Sequence, residues 1–272
     1  MKKNRLDSIK NEFLDIYAAI QDLSEFEILN NPEGIFQSHF ERLQRLIAMD
    51  IDNLAADEML CDQRFQSITK YIAHLKTING LRMEIRQARA VIADPDPWSL
   101  LKRFQFYPNY LKLAQMEYKG GKLKPGDRVV FLGSGPLPLS LICLCTQNGV
   151  KGIGIEQKAE YALLSKKVIK ALKLTDHIQI IQGNHFSLPL GEKCNLVMVG
   201  ADAIPKDEIF DHLAKVFSKG TKFSYRIYEK GLRRLMDENP VTNILPVLKE
   251  YACIRPEPPV NNTCVFLVKI TP

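Results

Sequence analysis

The feature that most constrains the fold of this chain is a change of apolar period partway along it. Up to about Leu123 the apolar residues recur at three and four: Leu6, Ile9, Phe13, Ile16, Ile20 and Leu23 form one series, and Ile68, Tyr71, Ile72, Leu75 and Ile78 begin another. That spacing keeps one face of a helix apolar. NNPEG (Asn30–Gly34) breaks the first helix, ADPDPW (Ala93–Trp98) ends the long later one, and Gly120-Gly121 closes the last. Residues 1–122 therefore read as an N-terminal helical bundle. Beyond it, short β-rich runs (RVVFLG, GIGIE, IQIIQG, NLVMVG, KFSYRIY and TCVFLVKI) alternate with helical segments such as Lys158–Leu172 and Lys206–Phe217. Strands alternating with helices predict a mostly parallel, doubly wound α/β sheet over residues 123–272.

Composition narrows the partners. The chain of 272 residues carries 37 Lys+Arg against 31 Asp+Glu, a scattered excess of +6 without the long basic runs of a nucleic-acid tail. No stretch approaches the ~20 apolar residues of a membrane span, and MKKNRLDSIKNEF is too charged for a signal-peptide apolar segment. Six cysteines lack CxxC pairing or histidine neighbours at metal spacing, which reads as reduced thiols in a cytoplasmic protein. A rival reading, a bundle docking RNA through Arg82, Arg86 and Arg89, leaves the glycine turn described next unexplained.

In a doubly wound sheet, ligands bind at the carboxyl ends of the strands, and the first strand-to-helix turn is the usual place. Here that turn is GSGPLPLS (Gly133–Ser140), and Gly133 and Gly135 allow close backbone approach to a ligand. Glu156, at the end of the second strand, is placed to accept hydrogen bonds from both ribose hydroxyls of a nucleoside. Pro136 and Pro138 remove two N–H donors from the turn, leaving a poor cradle for a pyrophosphate. An adenosine ligand without phosphate loses little, and S-adenosylmethionine is the common one. Asn184, after the third strand, sits where such enzymes commonly hold the adenine amino group. A rigid connection that binds nothing remains the alternative at this point.

On the helix GLRMEIRQARAVIAD (Gly80–Asp94), Leu81, Ala88, Val91 and Ile92 share a stripe and the three arginines lie opposite. Glu84 falls with the apolar stripe; its neighbours at three and four are Gly80, Leu81, Gln87 and Ala88, so no arginine pairs with it along the helix. A carboxylate facing an apolar region has a raised pKa, which suits a general base for an amine. The alternative is a Glu bonded to a tyrosine or helix end inside the bundle. In FQFYPNYLKLAQMEY, Pro108 fits the first position of a new helix, placing Tyr107 and Tyr110 at its start, where they form either a lid over a sulfonium ligand or plain packing. Arg226, leaving the fifth strand, offers a fork for an α-carboxylate, with a surface or inter-domain ion pair as the alternative.

These segments together resemble the nicotianamine synthase family, through GSGPLPLS, DPW (Asp96–Trp98), FYPNYLKL (Phe106–Leu113), RIY (Arg226–Tyr228) and VNNT (Val260–Thr263). The resemblance implies a Rossmann-like class I S-adenosylmethionine-dependent transferase domain preceded by the helical bundle. It implies transfer of the 3-amino-3-carboxypropyl (aminobutanoyl) group to an amino-acid or amine acceptor in metallophore biosynthesis, with methylthioadenosine released, no metal required and a homodimer as the assembly. Glu84 and Tyr110 then match the family's catalytic pair. The donor site expected comprises Tyr107, Gly133, Ser134, Gly135, Leu137, Glu156, Asn184 and His185, with Arg226 on the substrate side. Methyl transfer from the same donor to a small molecule is the alternative.

Overall fold

The computed structural model describes residues 2–30, 36–49, 51, 53–191, 193–229, 231–237, 241 and 244–271. Among these residues seven helices come first: α1 (Lys2–Ile20), α2 (Glu25–Asn30), α3 (Gln37–Ile47), α4 (Asn53–Cys61), α5 (Gln63–Ala93), α6 (Pro97–Lys102) and α7 (Tyr107–Gly121). Strands and helices then alternate through β1 (Arg128–Leu132), α8 (Leu139–Asn148), β2 (Lys151–Glu156), α9 (Ala159–Ala171), β3 (Ile178–Gln182), β4 (Leu196–Val199), α10 (Lys206–Val216) and β5 (Lys222–Ile227). The chain ends on β6 (Leu248–Ile254) and β7 (Thr263–Lys269). The first helix ends earlier than expected, at Ile20, and α2 occupies Glu25–Asn30 ahead of the predicted break, of which Asn31–Gly34 lie outside the described residues. No helix among them is long and apolar enough to cross a membrane.

Packing divides the chain into two compact units, Met1–Met83 with Tyr228–Glu238, and Glu84–Ile227 with Asn239–Pro272. In the first, the helical series read from the sequence is the core: Leu6, Ile9, Phe13, Ile16 and Ile20 of α1 are buried with Phe40, Leu43, Ile72 and Leu75. The division falls inside α5, so its last ten residues, with α6 and α7, belong to the unit that holds the sheet.

That sheet has seven strands in the order β3-β2-β1-β4-β5-β7-β6. Neighbours from β3 through β5 are parallel, while β7 runs antiparallel to both β5 and β6. The two-residue period of the strands sorts side chains to opposite faces. Val129, Phe131, Leu196 and Met198 join one apolar cluster, with α8 and the end of α5; Val130, Leu132, Val197 and Val199 join the other, with α10. β6 was not read from the sequence. Lys249, Glu250 and Cys253 are exposed on this edge strand, and a register shift between Glu250 and Ala252 interrupts its alternation.

Because β1 leads outward to β2 and β3 while β4 and β5 build the other way, the order reverses between β1 and β4. A crevice opens at such a switch point beyond the carboxyl ends of the strands.

Candidate active site

The turn that leaves β1 opens with two glycines in the left-handed region, Gly133 at φ 75° and Gly135 at φ 70°, where a side chain costs ~1–2 kcal/mol. Pro138 caps α8 without a side-chain hydrogen bond, and Leu137 is buried beside it. Between the glycines, Ser134 is buried and its Oγ has no hydrogen-bond partner. A buried hydroxyl left unsatisfied is costly, and a ligand polar group arriving at the turn would relieve it.

Glu156 ends β2 facing this turn. Its two carboxylate oxygens accept hydrogen bonds from the backbone N–H groups of Gly135 at 3.0 Å and Lys158 at 2.9 Å. Those two bonds fix the carboxylate and leave acceptor capacity for other donors.

Glu84 lies on the stripe read from the sequence: Ala88 and Val91, one and two turns further along α5, are both buried in the sheet-side core. A Cβ placed on Gly135 would stand 3.0 Å from Glu84 Oε2, so the carboxyl hangs directly over the glycine turn. Although the residue keeps some accessible surface, its carboxyl lies deep among protein atoms. Burial, then the charges of Asp202 and Glu156, push its pKa up to about 8, against the opposing effect of a hydrogen bond donated by Tyr110. Tyr110 sits in the first turn of α7, whose N-terminus begins at Tyr107, one residue ahead of Pro108. Tyr107 is buried in the core cluster that contains Phe104 and Cys143, and burial raises its pKa.

After β3, Asn184 caps a short 3-10 helix (His185–Ser187), its side chain accepting from the Phe186 N–H at 3.0 Å. His185 is buried, with Nε2 3.4 Å from Glu208 Oε1 but not aligned for a hydrogen bond. The exposed ring of Phe186 packs on His185 at 4.1 Å and on His212 at 5.1 Å.

Arg226 is placed differently from a free clamp. It is buried in β5, Nε donating to Glu117 Oε1 at 3.2 Å and one terminal nitrogen donating to Ser140 Oγ at 3.0 Å. Glu117 of α7 and Asp202, just past β4, were not singled out from the sequence. Asp202 follows a strand end at the switch point, a signal that was available; Glu117 resembles any other helix glutamate. Among the described residues no group of three or more His, Cys, Asp or Glu is placed to hold a metal, and burial pushes the thiols of Cys143 and Cys145 up to about 12, away from nucleophilic use.

A parallel sheet in this order, with an antiparallel β7 inserted between β5 and the edge strand β6 and a glycine turn opposite the acidic end of β2, has the Rossmann-like fold of class I S-adenosylmethionine-dependent transferases. Within that class the whole described chain matches one family model, "Nicotianamine synthase protein", over residues 2–272, and the chain belongs to the nicotianamine synthase family. Relatives are distant in sequence. Nicotianamine synthase of Solanum lycopersicum is 27% identical over 179 residues, which span 61% of this chain and only 56% of the tomato protein. L-histidine 2-aminobutanoyltransferase of Yersinia pestis is 21% identical over 229 residues, 82% of this chain and 84% of that one. Among solved structures, a glutamate-to-glutamine mutant of MtNAS in complex with S-adenosylmethionine superposes with a TM-score of 0.83 at 26% identity, covering 96% of this chain and 98% of that one. MtNAS in complex with MTA and tNA gives 0.81 at 26% identity, covering 99% and 98%.

Proposed function

We propose that this protein moves the 3-amino-3-carboxypropyl group of S-adenosylmethionine to the amine of an amino-acid acceptor, releasing methylthioadenosine, and so makes a metallophore-type chelator. One observation carries the reading: a carboxyl with pKa near 8, hydrogen-bonded by Tyr110, sits directly over the glycine turn of the donor fold. Family membership, the Yersinia transferase and the MtNAS complex with S-adenosylmethionine support it.

The residues fit the donor. Gly133 and Gly135 admit its adenosine, Glu156 takes the ribose hydroxyls, and the unsatisfied Ser134 Oγ bonds a polar group of the ligand. Asn184 and His185 flank the adenine, Leu137 supplies an apolar wall, and Tyr107 closes the donor side. No phosphate need be held, so the N–H groups missing at Pro136 and Pro138 are no loss.

A sulfonium has three carbon neighbours, and the one presented in line to the nucleophile reacts. The acceptor nitrogen attacks the propyl carbon next to sulfur. A C–N bond forms, the C–S bond breaks with its electron pair going to sulfur, and methylthioadenosine leaves neutral. An α-amine has pKa ~8 and is largely protonated at neutral pH, so a proton must be removed before attack; Glu84 takes it and Tyr110 steadies the resulting charge. In the free protein Glu84 is mostly protonated at pH 7, and its base form grows as pH rises through about 8. A sulfonium nearby favours the carboxylate and draws that midpoint down. The rate should therefore climb with pH toward 8.

Mass analysis of products from purified protein, S-adenosylmethionine and a panel of amino acids tests the reading. Methylthioadenosine and an aminocarboxypropylated acceptor are expected. Release of S-adenosylhomocysteine instead would establish methyl transfer and overturn the proposal.

A further inference from the structure

Behind Tyr110 lies a buried polar network that the transfer chemistry above does not use. Tyr110 and Glu117 are seven residues apart on α7, so they share a face of that helix. Glu117 is 1% exposed. Its Oε2 accepts from Ser224 Oγ at 2.7 Å, and its Oε1 from Arg226 Nε at 3.2 Å and, more weakly, from Cys264 Sγ at 3.7 Å. The Arg226 guanidinium lies 5.7 Å over the Phe131 ring and donates to Ser140 Oγ in the first turn of α8, directly after the glycine turn. One ion pair thus ties β5 to α7, which carries Tyr110, and to α8, which follows Gly133 and Gly135. Tyr110 itself packs against both apolar clusters that flank the pair, one containing Phe131 and the other Cys264.

As pure scaffolding this arrangement is poorly explained. Taking two charges out of water costs several kcal/mol per ion, and apolar residues of similar volume commonly serve stability as well or better. Its position suggests another use. Burial disfavours the charge on Arg226, yet the Glu117 carboxylate outweighs that cost and keeps the guanidinium charged, with Cys264 and Tyr110 also within its electrostatic reach. The coupling is reciprocal: a guanidinium within electrostatic reach of Tyr110 makes the phenol a stronger donor. The groups facing Glu84 are Tyr110, Asp202 and Glu156, and of these Tyr110 lies on the same helix as Glu117, the partner of Arg226.

We infer that Arg226, held and partly neutralised by Glu117, is a positioning residue for Tyr110, setting the orientation and donor strength of the phenol that hydrogen-bonds Glu84. Arg226 touches no reacting atom in this assignment. It acts through Tyr110, and Glu117 tempers it. The inference rests on the reading of Glu84 as the proton acceptor beside a sulfonium donor.

Opposite charges in one pair give a test with opposite signs. Binding of S-adenosylmethionine to the full-length protein is measured by calorimetry from pH 6 to pH 10, with Glu84→Gln identifying the midpoint that belongs to Glu84. Glu117→Gln, which strips the negative partner but keeps the shape, should move that midpoint to lower pH; Arg226→Gln should move it higher, each by on the order of one unit. Arg226→Lys should restore most of the wild-type midpoint. Should Arg226→Gln alone not fold, the double variant Glu117→Gln/Arg226→Gln is compared with Glu117→Gln and should sit higher. In a Tyr110→Phe background the same substitutions should lose most of their effect. Shifts that persist there overturn the route through Tyr110, and midpoints that do not move overturn the inference while leaving the proposed function intact. A wild-type protein that binds no S-adenosylmethionine, or whose midpoint survives Glu84→Gln, removes the underlying reading and the inference with it.

Discussion

Two helix glutamates, one in each compact unit, show how differently the same side chain is treated. Glu12 on α1 is met by Arg42 of α3 in a two-pronged pair at 2.9 and 3.0 Å, and that hydrogen bond holds its pKa below the usual value. Glu84 on α5 meets a phenol and two acids, with a pKa near 8. The first unit keeps its charges at the periphery of an apolar core: Lys10–Asp62 at 3.7 Å, His74–Glu25 at 2.8 Å and Arg234–Asp57 at 2.6 Å all retain substantial solvent exposure. In the second unit, strand ends at the switch point bring Glu156 and Asp202 toward Glu84, and Glu117 and Arg226 are almost fully buried. Energetically expensive charges collect where a parallel sheet converges its strand ends, so the chemistry is expected there.

Glu84→Gln should break the contrast most severely. It keeps size and hydrogen bonding but cannot accept a proton, so the transfer rate should fall by roughly 10²–10⁴, the usual worth of a general base. S-adenosylmethionine binding, followed by calorimetry, should survive; an unchanged rate would remove Glu84 from the mechanism. Next in size is Gly135→Ala. The new methyl would stand 3.0 Å from Glu84 Oε2 at a backbone of φ 70°, and a displaced carboxyl should lower the rate about 10–100-fold. Gly126→Ala is the control for strain alone: φ is 87° and no heavy atom lies within 4 Å of the added carbon. It should lose about 1–2 kcal/mol of stability while its rate holds.

How much of this was legible follows from which interactions are local in sequence. The change of period announced α1, α5 and α7, the helices between the strands and six of the strands, though not α2, α3, α4 or α6, and GSGPLPLS with Glu156 marked the turn, because strand, glycine and acid stand at fixed offsets within one βαβ unit. Glu84 was legible for the same reason, as a carboxylate on an apolar stripe whose partners along the helix could be enumerated. Glu117 was not: its partners Ser224, Arg226 and Cys264 are more than a hundred residues away. Arg226, read from its place at a strand end as a candidate carboxylate clamp or else a surface or inter-domain pair, is engaged by Glu117 and Ser140, partners 109 and 86 residues away. β6 escaped because an exposed edge strand with a register shift lacks a clean two-residue alternation.

The raised pKa of Glu84 also makes a stability prediction. A carboxyl whose folded pKa of about 8 lies above its unfolded value of 4.5 binds more protons when folded, so ionising it weakens the fold progressively between those values. Glu84→Gln escapes that penalty. Its Tm should match the wild type near pH 4, exceed it increasingly up to pH 8 and stay above it thereafter. A gain of about 1–2 kcal/mol is expected at pH 9, discounted from the full shift because the residue is partly accessible. Equal Tm values at pH 5 and pH 9 would mean that Glu84 titrates normally.

The smallest effect belongs to Glu12, and its sign should be opposite. Its folded pKa is depressed, so its stabilisation is present above the unfolded value of 4.5 and is lost as pH falls through the folded one. Glu12→Gln should therefore cost stability at pH 7 and cost little at pH 3. With the two side chains 32% and 36% exposed, solvent screening limits the pair to about 0.3–1 kcal/mol. Salt separates this pair from the buried one: at 1 M the Debye length shrinks to ~3 Å, and the cost of Glu12→Gln should fade. Disruption of Arg226–Glu117, shielded from ions by burial, should cost nearly the same in high salt as in low. Chemical denaturation of Glu12→Gln and Glu117→Gln in urea, at low salt and at 1 M, compares them directly. If the Glu117 cost faded in parallel with that of Glu12, water and ions would be reaching the Arg226 pair, and the division between a screened helical unit and a shielded sheet-bearing one would fail.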